Sequence, residues 1–181
     1  MKKIIVILLA ACLAFSFAAC KTKPPKSDAG MPSKVASARR DAPEDVLVGI
    51  GNAKMGTLAQ SRNIAATRAR AEISNTMDSM VKNMVRDYTA SSEVDPGAAL
   101  SFQENITVTL SKSNLSGARI WYEELEKDGM CWVVMHLDKA NVVREISQAQ
   151  AAARLAVPAM ASFDAEQRMN DAFEQAKREG W

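Results

Sequence analysis

VLVGIGNAKMG (residues 46–56), followed directly by TLAQSRNIAATRARAEISNTMDSMVKNMVRDY (57–88), decides how this chain folds. Val46–Ile50 is too apolar to face water on both sides, which predicts a strand. The chain then bends through Asn52 to Gly56, and a long helical pattern starts at Thr57. Thr57-x-x-Gln60 fits a capping box, in which each side chain satisfies an orphan amide at the helix start. Beyond it, Ala65, Ala69, Ile73, Met77, Met80, Val81, Met84 and Tyr88 recur at three- and four-residue steps, one buried face of a helix over Thr57–Tyr88. At 1.5 Å per residue such a helix is about 48 Å long. Its first half is studded with alanines, which let another backbone approach closely. Its second half carries bulky flexible residues that fill gaps.

Downstream, Ala90–Gly97 is a loop by its Ser-Ser and Asp-Pro-Gly turn chemistry. Residues 98–114 carry two signals. Ile106-Thr107-Val108-Thr109-Leu110 alternates as a strand does, while Phe102, Ile106 and Leu110 fall four apart and Leu115-Ser116-Gly117 resembles a helix stop. A helix over Ala98–Asn114 is the preferred reading. Ala118–Leu125 and Met130–Leu137 are β-rich runs joined through Asp128-Gly129, a hairpin signal. Alternation places Ile120 and Tyr122 on one face, and Cys131, Val133 and Met135 on one face of the partner strand. Helices are expected over Ala140–Ala156 and, beyond the break at Pro158, over Phe163–Arg178. The fold class is therefore α+β: a small, mainly antiparallel sheet of about three strands, covered by one long helix with shorter helices around it.

The chain's 181 residues suit one domain plus accessory segments. Residues 1–19 read as a signal peptide, with Lys2 and Lys3 ahead of an apolar run from Ile4 to Phe17. Phe17-Ala18-Ala19-Cys20 resembles the lipobox of bacterial lipoproteins, whose thiol accepts diacylglycerol and becomes the first mature residue. Leu9-Ala10-Ala11-Cys12 is a formal rival, but it leaves only a few apolar residues ahead of it and more apolar chain behind. Cys20 is followed at once by polar Lys21-Thr22-Lys23-Pro24-Pro25-Lys26, so Cys20 is the expected lipidation site. Several acyl chains, at about 0.8 kcal/mol per buried methylene, hold a protein on a bilayer persistently. Residues 20–42 read as a flexible tether, 43–157 as the α+β domain and 158–181 as a C-terminal amphipathic helix.

Loss of Lys2 and Lys3 would bring the 23 basic residues level with the 21 acidic ones. The excess is local: Cys20–Arg40 holds six Lys and Arg against Asp28, which suits either an anionic headgroup surface or simple solvation of a linker. No basic face interleaved with aromatics follows, so nucleic-acid binding is not expected. With Cys20 acylated and Cys12 removed, Cys131 is the one remaining thiol, expected to be a small buried residue.

No catalytic constellation, metal site or cofactor site emerges. Gly49-Ile50-Gly51 invites a dinucleotide-loop reading, but Lys54 stands where the third glycine belongs and Gly56 comes two residues late. Those glycines are better read as permitting a bend and close helix–strand packing. His136, the single histidine, lacks partners at ligand spacing, and alternation predicts it exposed, opposite Cys131, Val133 and Met135. Glu123, Glu124, Glu126 and Asp128 lack calcium-loop spacing and read as a solvated hairpin tip. The methionine stripe reads as core filling.

Pro43-Glu44-Asp45-Val46-Leu47-Val48-Gly49-Ile50-Gly51 and its alanine-rich helix resemble the opening of the small bacterial outer-membrane lipoprotein family of the LPP-twenty type. Leu115-Ser116-Gly117 and the run Gly129–Lys139 resemble that family's closing half. The likeness spans about Pro43 to Val143, although this chain has no tryptophan near Val46. It implies a lipid-anchored, non-catalytic α+β domain of the cell envelope, at the outer membrane, engaged in surface contact or envelope organisation. Lys21 after Cys20 resembles the pattern of lipoproteins sent on to the outer membrane. The expected role is thus an interaction or structural module with an envelope protein partner. Two alternatives are an assembly component docking through Phe163–Arg178 and a small-ligand binder at the Gly49–Gly56 bend.

Overall fold

A computed structural model describes residues 30–112 and 115–179. In chain order these form α1 (Ser33–Ser37), β1 (Val46–Ala53), α2 (Leu58–Ser91), α3 (Pro96–Lys112), β2 (Arg119–Leu125), β3 (Cys131–Asp138), α4 (Lys139–Ala156), a 3-10 turn (Pro158–Met160) and α5 (Ala165–Glu179). The three strands make an antiparallel sheet in the order β1-β3-β2. The α+β expectation holds, with the hairpin and the long helix where the sequence puts them.

The strand–helix seam explains the sequence that opens the domain. β1 pairs along its full length with β3, Leu47 opposite Leu137, Gly49 opposite Met135, Gly51 opposite Val133 and Ala53 opposite Cys131. This set faces α2. A Cβ on Gly49 would lie 2.1 Å from the Ala69 carbonyl oxygen, and one on Gly51 only 2.0 Å from that of Ala65. Strand and helix therefore touch backbone to backbone, and only glycine leaves the room. The expected bend starts later than Asn52, because Gly51 and Asn52 stay paired to β3.

Thr57 caps α2, its hydroxyl accepting from the Gln60 amide at 3.3 Å. Ala65, Ala69, Ile73, Met77, Val81 and Met84 are all buried, the face the periodicity predicts. Beyond Ile73 the partners change from sheet to helices. Thr107 of α3 donates to Asp78, and Phe102 and Tyr88 both meet Phe163 edge-on, with ring centroids 5.3 and 5.4 Å away. Residues 96–112 are helical, since Ala99, Phe102, Ile106 and Leu110 form one buried stripe that alternation cannot supply. The last two positions of the expected helix, Ser113 and Asn114, lie outside the described residues.

Three expectations need correction. The tether reading of residues 20–42 fails from Ser33 onward: α1 is ordered, and Val35 and Ala38 are fully buried. (Residues 20–29 lie outside the described residues.) The C-terminal helix is present, as α5, but residues 158–181 do not stand apart from the α+β domain, because Met160, Phe163, Met169 and Phe173 belong to the main core. Gln150 of α4 holds it there, accepting from the Ala165 amide at 2.9 Å while its own amide donates to the Phe163 carbonyl. Ile120 and Tyr122 do not share a face. A bulge between them sets Ile120 opposite inward-facing Met135 and Tyr122 opposite outward-facing Val134.

Candidate functional site

β3 is the central strand and is buried on both faces, from Cys131 to Leu137. Its inner face supplies Cys131, Val133, Met135 and Leu137 to the main core. Its outer face presents Trp132, Val134 and His136, with relative exposures of 8, 0 and 3%. The predicted exposure of His136 is therefore wrong. Alternation correctly puts it opposite Cys131, but the outer face is itself covered.

Two features cover it. The bulge turns Trp121 of β2 over the sheet, where its indole stacks on the His136 imidazole with centroids 4.7 Å apart and planes 8° from parallel. α1 lies against β3, and its Lys34 ammonium sits 4.3 Å from the Tyr122 ring centroid and 5.8 Å from that of Trp121. Among the described residues, His136 Nε2 and Trp132 Nε1 have no hydrogen-bond partner. Burial pushes the His136 pKa down, the Arg119 guanidinium opposite it pushes the same way, and Asp138 opposes both. Arg119 is bonded to both Asp138 oxygens, at 3.2 and 3.4 Å, so that carboxylate is already engaged.

The free edge of β1 is closed by side chains from α2. Glu72 accepts from the Ile50 amide and pairs with Arg39, and Arg68 donates to the Asn52 carbonyl. These contacts occupy backbone groups that would otherwise template another strand.

The remaining candidate residues have structural duties. Cys131 is buried beside Glu123, and burial first, then that carboxylate, raises its thiol pKa. It and His136 project from opposite faces of β3, so they cannot act as a nucleophile pair. Glu123 pairs with Arg62 at 2.6 Å, and Glu124 accepts from the Tyr122 hydroxyl at 2.7 Å. Asp128 takes the Met130 amide at 2.9 Å and Lys54 at 3.2 Å, which shapes the hairpin tip. The acidic cluster thus consists largely of individually engaged groups. Among the described residues no set of three His, Cys, Asp or Glu converges to hold a metal.

At the Gly49–Gly56 bend, the helix backbone fills the space in front of Gly49 and Gly51, leaving none for a ligand. A polar hollow of about 170 Å³ at the head of α5 is lined by Ser162, Asp164, Gln167, Arg168 and Asp171. Ser162 there bonds the Tyr88 hydroxyl, Asp164 caps the Gln167 amide, and Arg168 lies 4.7 Å over the Tyr88 ring. No helix among the described residues is long and apolar enough to cross a membrane. Cys20, the expected lipidation site, lies outside the described residues.

The outer sheet face was missed in the sequence because Ile120 and Tyr122 were read as a regular two-residue step, with no bulge between them. α1 leaves only a partial local trace: Pro32-Ser33 is a helix-start signal and Val35 and Ala38 are three apart, but the surrounding composition is that of a linker. Compared with known proteins, the chain matches no family model, no curated protein and no solved structure.

Proposed function

We propose that the protein is a lipid-anchored, non-catalytic cell-envelope lipoprotein, acylated at Cys20, whose α+β domain acts as an interaction or structural module at the outer membrane. The observation that carries this reading is Phe17-Ala18-Ala19-Cys20 at the end of a Lys2-Lys3-led apolar run, followed at once by a polar, lysine-rich stretch. The resemblance to lipoproteins of the LPP-twenty type, over Pro43 to Val143, supports the same reading.

Docking through the C-terminal helix is less favoured, since the apolar face carrying Met169 and Phe173 is already covered. Ligand binding at the Gly49–Gly56 bend is disfavoured by the backbone contacts there. The test replaces Cys20 by Ala and follows metabolic acyl labelling together with membrane retention. Loss of both is expected. Unchanged labelling and retention would remove the proposal.

A further inference from the structure

We propose that α1 and His136 form an acid-released latch: protonation of the buried imidazole lifts the Ser33–Ser37 strap from the outer sheet face and frees the chain ahead of β1.

The strap is the weakest seat in the domain. A helix of five residues has no stability of its own in water, so tertiary contacts alone keep it folded. Among the described residues those contacts are few: the buried side chains of Val35 and Ala38, the Lys34 ammonium over Tyr122 and Trp121, and the Arg39–Glu72 pair. Val35 and Ala38 stand apart from the main core cluster, as do Trp132 and Val134 beneath. Lifting the strap therefore leaves the main core intact.

His136 lies in this outer layer, 3% exposed, and its Nε2 has no hydrogen-bond partner among the described residues. A second proton on the ring requires a partner or water. The charged and titratable groups around it cannot provide the partner. On β2, Arg119 is a cation, Tyr122 donates to Glu124, and Glu124 is thereby engaged. On β3, Asp138 is held by Arg119. On α1, Lys34 adds a second cation beside the stacked Trp121. Along β1 the outward residues are Val46, Val48, Ile50 and Asn52, which carry no charge. The indole face of Trp121 favours an imidazolium by cation–π attraction, but burial and Arg119 outweigh it. Water must reach Nε2; Trp121 lies on the ring and Lys34 of the strap lies over Trp121, so loosening the strap frees that cover.

The sign follows from linkage. The closed state binds the proton more weakly than the open one, so closure is complete above the ordinary histidine value of 6.5 and is lost as pH falls through the depressed one. One coupled proton multiplies the open population by at most about tenfold per pH unit across that window. Opening frees residues 32–45, which reach at most about 45–50 Å when extended. The latch stands on the geometry alone; its use as an extendable tether rests on the anchoring proposed above.

Because His136 is the single histidine, its imidazole proton resonance reports its titration in the wild-type chain without ambiguity. The experiment uses the full chain in detergent micelles. It follows that resonance together with amide exchange of residues 33–42 and of β3, from pH 7.5 to 5. We expect the strap amides to lose protection with the midpoint of the imidazole titration while β3 stays protected. His136→Phe keeps the stacked ring and should abolish the pH dependence. Val35→Ala loosens the strap and should move both midpoints up together, toward 6.5. Strap protection unchanged across the imidazole titration, equal pH dependence in His136→Phe, or a shift of only one midpoint in Val35→Ala would overturn the latch. None of these outcomes depends on acylation of Cys20.

Discussion

Gly51→Ala tests the seam on which the domain is built. The new methyl carbon would sit 2.0 Å from the Ala65 carbonyl oxygen, 2.6 Å from the Ala69 amide nitrogen and 2.9 Å from Arg68 Cβ. Ordinary contact for such a pair starts near 3.4 Å, so the helix must retreat by roughly 1.4 Å, and no flexible side chain can absorb that by turning aside. Overpacking a core typically costs about 1–3 kcal/mol. Here the opposing atoms are mainly backbone, and the retreat also loosens Gly49 against Ala69, so we expect about 3 kcal/mol or more. At roughly 2–4 °C per kcal/mol for a domain of this size, the melting midpoint should fall by about 6–12 °C. Thermal and urea unfolding followed by far-ultraviolet circular dichroism gives the value directly. Gly56→Ala is the control. Its Cβ would meet only Gln60 Oε1 at 3.9 Å, so stability should stay level or rise by about 0.4–1 kcal/mol. A Gly51→Ala protein melting within about 2 °C of wild type would refute the close-contact argument.

Two further outcomes probe the helical half. Phe163→Ala removes a fully buried ring that meets Tyr88 and Phe102 edge-on, and should cost about 3–5 kcal/mol in urea unfolding, with the C-terminal helix losing exchange protection first. Burial raises the Asp78 pKa, but its bonds with Lys82 and Thr107 outweigh this and hold it below the usual 3.8, so its contribution is present above that value and lost as pH falls through the lowered one. Asp78→Asn should therefore lower stability by about 1 kcal/mol at pH 7 and flatten the fall in urea midpoint below pH 4. An unchanged acid slope would count against the assignment.

Much of this fold was legible because single spacings decided it. Gly49 and Gly51 set against Ala65 and Ala69 announced a close seam, and the seam is there. Phe102, Ile106 and Leu110 favoured a helix over the strand that β-branched propensity suggested, and the structure has the helix. What escaped depended on the sheet's second layer. Nothing local in Arg119–Leu125 reveals that one residue is bulged out, yet that bulge swings Trp121 over His136 and reverses its exposure. Likewise the strap looks like linker by composition, and only β3 beneath it gives Val35 somewhere to be buried. The candidate outer-face site was illegible for the same reason. Its residues come from α1, β2 and β3, and no periodicity in one segment encodes what another segment will cover.

The long helix has a final consequence. Its 34 residues span about 51 Å, while the eight residues of β1 reach only about 27 Å, so one continuous rod serves two neighbours in succession. Ile73 packs toward the strands, and Asp78, one turn and a little further on, bonds the helix carrying Thr107. With no hinge between those points, neither half can come apart without fraying the rod the other leans on. Melting of the two halves is thereby tied into one event, and a force applied at one end is transmitted to the other.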